Sequence, residues 1–359
     1  MKKSIALLLA AALSATALSG CGSSSASSPE TTAATQAAAE TKATEEAKSE
    51  APAEVLKITV GSTGSKGLAG NDAWTWAWEE IEKRSNGHLV FESLNDSQLG
   101  NDESLLTQAM DGVLDVVGTG TSVYGKYTPL LDGIQLPFLI DSYEKEYAMF
   151  TSPEMDAIKE QIASDLGLRI MGLGESGIRH FATVGKEINT PEDLKGLKMR
   201  VVPGTVTADA MALLGASPTT IAYNEIYTSL QNKIIDSEEV NYSTINNQKH
   251  YEVITNVSEI GMYPFPSVVT FSEKFWQSLS AEDQQLISEV FAEAEKKCFE
   301  EYIVEYENAA RKACEENGVV INVIEDKEPF RAITQELYKT YTDKDPLVAA
   351  FVEAALKLE

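Results

Sequence analysis

The chain has 359 residues, 43% apolar and 8% aromatic, with 29 Lys and Arg against 55 Asp and Glu, a net charge of −26. This is a globular composition, long enough for two α/β lobes. The acidity excludes nucleic acid, which needs clustered Lys and Arg, and excludes holding an anionic membrane surface by charge; an anionic small ligand stays open, because it senses the field of its own site.

Residues 1–21 read as a secretory signal. Lys2 and Lys3 precede an apolar run, residues 5–18, which stops at small residues. Fourteen residues are too few for a spanning helix, which needs about 20. The ending Leu18-Ser19-Gly20-Cys21 resembles the bacterial lipobox, which implies diacylglycerol on the Cys21 sulfur and cleavage just before it. An ordinary signal peptide with a chance Cys is the alternative. Residues 22–54 are Ser, Ala, Thr and Glu without aromatics, a disordered tether unable to bury enough surface to offset ordering. The tether carries −4 and the signal +2, so −24 of the charge belongs to the body, residues 55–359.

The body opens with an alternating strand over 56–60, then a Gly/Ser-rich loop over 61–70. Asn71 or Asp72 can cap the following helix, which puts Trp74, Ala77, Trp78 and Ile81 on one face and Trp76 elsewhere. Residues 88–94 read as a strand, 104–114 as a helix, and 115–118 as a strand into Thr119, Gly120, Thr121 and Ser122. Alternating strand and helix implies parallel pairing with right-handed crossovers. A second cycle follows: strands over 168–173, 179–184 and 198–202, a helix start at Thr190-Pro191, helices over 205–214 and 223–232, and a strand entered at 234–238. The C-terminal third reads as mostly helical, with one long helix over 281–317, capped by Ser280 with Asp283 and stopped by Gly318. Its face runs Leu286, Val290, Ala294, Cys298, Tyr302, Tyr306, Ala309 and Ala313. Cys298 and Cys314 are then roughly 24 Å apart along the axis, against a disulfide limit near 7 Å, so two buried free thiols are expected.

Three scattered histidines, His88, His180 and His250, and the absence of HExxH, CxxC or EF-hand spacings predict neither metal nor cofactor. The Gly-rich stretches match no dinucleotide fingerprint, P-loop or nucleophile elbow.

From Gly174 onward the residues match a known family. The core is Gly174-Glu-Ser-Gly-Ile-Arg179-His-Phe, then Ile188-Asn-Thr-Pro-Glu-Asp-Leu-Lys-Gly-Leu-Lys-Met-Arg200-Val. Leu214 to Thr219, Ala222 to Gln231 and Ile235 to Asn241 continue it; weaker matches are Gln98 to Asp102, Leu136 to Leu139 and Phe275 to Ser280. The body resembles the substrate-binding subunit of tripartite ATP-independent periplasmic (TRAP) transporters, the DctP type. The resemblance implies an α/β fold like that of the periplasmic binding proteins: two lobes around an interlobe cleft, hinge strands, and a long C-terminal connecting helix. Lobe I is expected over about 55–175 plus a returning segment near 240–270, lobe II over about 176–239 plus the C-terminal helices. It also implies no enzymatic activity, a small carboxylate ligand, delivery to integral membrane TRAP permease subunits, and, with Cys21 lipidated, a monomer held on the outer face of the cell membrane.

Arg200 matches the family arginine that pairs with the ligand carboxylate, and Arg179 a second pocket arginine. A guanidinium suits that role because it offers two parallel N–H donors and stays charged. Glu239 keeps its family place, but the following Asn is Val240 here, which makes Asn241 the substitute. Tyr223 matches an aromatic that covers the ligand. Thr119, Gly120 and Thr121 lie at a strand end; Asp72 and Trp76 begin the first helix; Glu175 would accept ligand hydroxyls if it reached the cleft. Two arginines suit a C4-dicarboxylate, but the polar candidates exceed what one needs, so a sugar acid such as a uronate or aldonate is favoured. The alternatives are an extracytoplasmic carbohydrate-active hydrolase using paired carboxylates and a ligand receptor for a sensor kinase.

Overall fold

A computed structural model of the chain describes residues 55–358. The expected signal, Cys21 and the expected tether lie outside the described residues. Eleven strands follow in order: β1 Leu56–Ser62, β2 Leu89–Leu94, β3 Val116–Gly120, β4 Leu168–Glu175, β5 His180–Thr183, β6 Lys198–Val201, β7 Ser217–Thr220, β8 Ser237–Val240, β9 Asn256–Glu259, β10 Pro266–Ser272 and β11 Val320–Val323. They form two sheets, ordered β2-β1-β3-β10-β4 and β11-β9-β5-β8-β6-β7. Each sheet centres one lobe.

The expected parallel pairing holds where strand and helix alternate. β1 pairs parallel with β2 and β3, and β6 parallel with β7 and β8. Strands arriving from the other lobe run antiparallel: β10 against β3 and β4, β5 against β8 and β9. This corrects the expected lobe boundary. The segment returning to the first sheet is β10 alone, because β9 is already committed to β5 and β11 in the second. The C-terminal helices also serve both lobes: Ala281–Lys297 packs on the first lobe's helix Ala69–Arg84 and on β4, and Ile303–Glu316 packs on Tyr242–Asn247 in the second.

Two segments cross between the lobes side by side. The Arg179 amide donates to the Tyr263 carbonyl at 2.9 Å, and the Met262 amide to the Arg179 carbonyl at 2.9 Å. A narrow antiparallel pair of this kind bends easily while keeping its backbone groups satisfied.

The long helix is continuous but not uniformly α. Ala281–Lys297 and Ile303–Glu316 are joined by a π-helical turn, Cys298–Tyr302. The turn adds a residue and shifts the buried face by one position. Val290 and Ala294 before it and Cys298 at its start are buried as expected; after it Ile303, Glu307, Ala310 and Cys314 are buried in place of Tyr302, Tyr306, Ala309 and Ala313. Cys298 and Cys314 are both buried free thiols. The Ser280 cap forms, its hydroxyl accepting from the Asp283 amide at 3.0 Å.

The first helix starts earlier than the sequence implies, with Leu68 at the N-cap position and Asn71 and Asp72 inside its first turn. Its Trp74, Ala77, Trp78 and Ile81 are buried, and Trp78 stacks on Phe91 with ring centroids 4.5 Å apart. Among the described residues no helix is long and apolar enough to cross a membrane.

Candidate functional site

The sheets meet across a cleft lined from both lobes, the kind of place where small-ligand sites form. Its second-lobe and hinge wall carries the charge. Arg200 lies on β6 between Met199 and Val201, whose side chains enter the core, so strand alternation turns Arg200 to the cleft. Its Nε donates to the Ile221 carbonyl at 3.1 Å. Arg179, at the hinge just before β5, donates from Nη1 to Asn241 Oδ1 at 2.9 Å and lays its guanidinium 4.0 Å from the Phe265 ring centroid. Such stacking fixes the plane of the cation as well as attracting it.

Glu239 stands behind both arginines. Its Oε2 lies 3.2 Å from Arg179 Nε, and its Oε1 lies 3.6 Å from Arg200 Nη1 while accepting from the Val202 amide at 3.0 Å. One carboxylate therefore serves two guanidiniums, and a net positive charge faces the cleft. Burial draws the Arg200 pKa down, with Glu239 opposing it. A ligand carboxylate would add the second counter-charge at a site where low dielectric strengthens the pairing.

The first-lobe wall is polar without a cation. Ser62, Thr63, Asn71, Asp102, Thr119, Ser122 and Ser267 line it. Asp102 begins helix Asp102–Met110, whose cap is Asn101 accepting from the Ser104 amide at 3.0 Å. Its Oδ1 accepts from Thr63 Oγ1 and from the Gly120 amide, both at 2.9 Å. Burial raises the Asp102 pKa, while these two donors and the Arg200 charge work against the rise. Thr119 Oγ1 is buried in this wall without a partner among the described residues. Buried hydroxyls are normally paired, so a ligand hydroxyl or water fits there. Gly120 admits the ring of Phe265, since a Cβ at that position would stand 2.7 Å from Phe265 Cζ.

The structure brings together five of the residues expected from sequence: Arg200, Arg179, Tyr223, Thr119 and Gly120 all line the cleft. Glu239 and Asn241 lie one layer behind, orienting the arginines. Asn241 also donates to the Ser176 carbonyl and, at 3.1 Å, to Glu307 Oε1. Val240 is buried in the second-lobe core. Glu175 does not reach the cleft. It is fully buried at the hinge, where its Oε1 accepts from the amides of Gly177 at 2.5 Å and Phe265 at 3.1 Å. Burial raises its pKa and that of its neighbour Glu146, which the Glu175 charge raises further. Thr121 is buried at the start of a 3₁₀ turn outside the cavity lining. Asp72 accepts from the Gly67 amide at 3.1 Å and from Tyr306 Oη at 3.2 Å. Trp76 packs beside Lys297, whose Nζ lies 5.7 Å from its ring centroid.

Asp102, Asn71 and Phe265 are site residues that sequence reasoning did not select. Asp102 stands inside a matched motif, and that position was the available signal. Asn71 was displaced by its neighbour because the helix begins before it. Phe265 sits between Pro264 and Pro266 in a crossing segment with no periodicity to read.

The family model for bacterial extracellular solute-binding protein, family 7, matches residues 62–345. The chain is 27% identical over 263 residues to the sialic acid-binding periplasmic protein SiaP of Vibrio cholerae, covering 73% of this chain and 81% of that one. A TRAP periplasmic solute binding protein from Xanthobacter autotrophicus, solved with bound β-D-galacturonate, is 27% identical with a TM-score of 0.78, covering 83% of this chain and 98% of that one. Another from Anaerococcus prevotii, solved with bound α/β D-glucuronate, is 25% identical with a TM-score of 0.79, covering 84% and 97%. With a family model spanning both sheets and the crossings between them, the chain belongs to bacterial extracellular solute-binding protein family 7, the DctP family of TRAP solute receptors.

Proposed function

We propose that the protein is a lipid-anchored, monomeric, non-enzymatic receptor that captures a sugar acid with one carboxylate and presents it to a TRAP permease. The observation that carries the ligand class is the division of the cleft. Both guanidiniums stand on one wall and share Glu239, while the facing wall offers hydroxyls, an amide and Asp102. A carboxylate pairs with Arg200 and Arg179; ring or chain hydroxyls reach Asp102, Asn71 and Thr119. The second carboxylate of a C4-dicarboxylate would face Asp102 with no cation beside it, an arrangement that costs affinity. The galacturonate and glucuronate named for the two solved relatives support this class.

Binding acts through closure. The paired crossing segments bend, the walls exclude water, and the closed outer surface is what a permease can recognise. The lipobox-like Cys21 supports anchoring beside that permease. A carbohydrate-active hydrolase would need two carboxylates astride the ligand. The buried pair Glu146 and Glu175 lies apart from the cleft, and Asp102 is the single acid among its lining residues.

A thermal-shift screen tests the ligand class, since a ligand selective for the folded state raises the melting temperature. D-Glucuronate, D-galacturonate and galactonate should raise it, and succinate and malate should not. A shift with the dicarboxylates alone overturns the proposal. Mass spectrometry after incubation should recover the sugar acid unchanged.

A further inference from the structure

One rim of the cleft is joined by side chains that belong to neither the arginine wall nor the hydroxyl wall. On the first lobe, the loop after β1 carries Ser65, Lys66 and Gly67. On the second, helix Tyr242–Asn247 ends at Asn247 and Gln248. Gln248 Nε2 donates to Ser65 Oγ at 3.0 Å, and Asn247 Nδ2 donates to the Lys66 carbonyl at 3.3 Å. Gly67 has φ +86°, and a Cβ there would lie 3.1 Å from Asn247 Nδ2. Glycine thus meets two demands at once: the left-handed backbone and the close pass of the opposing lobe.

Both sides of this contact are braced. The Gly67 amide donates to the Asp72 carboxylate, and Tyr306 Oη donates to the same carboxylate from the long helix. On the other side, the Tyr242 and Ser243 amides donate to Glu307 at 3.1 and 2.8 Å. Both braces come from neighbouring residues of one helix, Tyr306 for the first-lobe loop and Glu307 for helix Tyr242–Asn247, and the bonds between loop and helix form only with the lobes together.

We infer that Ser65–Gln248 and Lys66–Asn247 form an interlobe latch that sets how long a bound ligand is retained. Encounter takes place with the cleft open, before the latch exists, so the latch leaves the association rate unchanged. Release requires breaking it. The latch rests on the receptor reading but not on the identity of the ligand.

The test is stopped-flow binding of D-glucuronate to wild type and to an Asn247→Ala/Gln248→Ala variant, both half-buried surface positions outside the cavity lining. Two lost hydrogen bonds should speed release roughly 5- to 30-fold, with association unchanged and the melting temperature of the free protein near wild type. In hydrogen exchange by mass spectrometry, residues 63–68 should exchange faster in the variant. Wild-type release and wild-type exchange of that loop overturn the latch, and so does a loss of affinity carried by association alone. If D-glucuronate fails to bind wild type, the sugar-acid reading loses that ligand; release of D-galacturonate or succinate, whichever raises the wild-type melting temperature, then decides the latch, with equal release from variant and wild type refuting it.

Discussion

Replacing Arg200 by Ala removes the cation best placed to hold a ligand carboxylate. Arg200 is 2% exposed and anchored by its Nε to the Ile221 carbonyl, so its terminal nitrogens are positioned before ligand arrives. Deleting one member of a desolvated charge pair costs about 2–5 kcal/mol. Taking about 4 kcal/mol, the dissociation constant should rise roughly a thousandfold. The fold should survive, because Glu239 keeps Arg179 at 3.2 Å and the Val202 amide at 3.0 Å. Arg200→Lys retains the charge but loses the planar fork and the Ile221 bond, and should fall between. Isothermal titration with D-glucuronate measures both variants, with circular-dichroism melts to confirm folding. A folded Arg200→Ala protein that binds D-glucuronate as tightly as wild type would refute the assignment of the arginine wall.

Three further outcomes follow from the same geometry. Glu239→Gln leaves two guanidiniums without their shared counter-charge; the free protein should lose about 3 kcal/mol of stability, while D-glucuronate should raise its melting temperature more than it raises that of wild type, because the ligand carboxylate takes the missing place. A smaller ligand-induced shift than in wild type contradicts the shared-charge account. Asp102→Asn keeps the acceptor for Thr63 and Gly120 but removes the negative charge, so D-glucuronate should weaken and succinate strengthen, each by about tenfold; competition binding reads the ratio, and an unchanged ratio counts against Asp102 as the group that disfavours dicarboxylates. Asp132, away from the cleft, has its pKa raised by burial from 3.8 to about 6, with Lys344 opposing. Between those values the folded state keeps a proton that the unfolded state releases, so this group's ionisation erodes stability as pH rises through about 6. Asp132→Asn should therefore stabilise the protein at pH 7.5 by about 3 kcal/mol and do nothing below about pH 4; a benefit independent of pH in urea titrations points to packing instead.

Much of the fold was legible because its signals are local. The caps at Ser280 and Thr190, the apolar face of Ala69–Arg84 and the alternation of β1 and β6 each depend on neighbours within a few residues. The helix start implied at Thr190-Pro191 is there as a short 3₁₀ turn, closed by a capping box between Thr190 and Asp193. Errors came where a distant partner decides. β10 is a strand because β3 and β4 leave a gap between them, and the π-turn at Cys298–Tyr302 moves the buried face of a helix whose 3.6-residue period looked unbroken.

The candidate site divides in the same way. Residue chemistry and motif position, both readable in the sequence, selected Arg200, Arg179 and Tyr223. What the sequence could not separate was contact from support. Glu175, Glu239 and Asn241 are polar, lie in the matched motifs and are fully buried, yet they face the hinge and the arginines' backs instead of the cleft. Which side of an arginine a carboxylate occupies depends on strand pairing across two sheets, and neither spacing nor composition encodes it. The chain alone led to the expectation that a strongly acidic protein holds an anion locally, through guanidiniums. Only the tertiary structure decided that both guanidiniums share one wall and one carboxylate, because that arrangement exists only once β5, β6 and β8 are side by side and the two lobes have met.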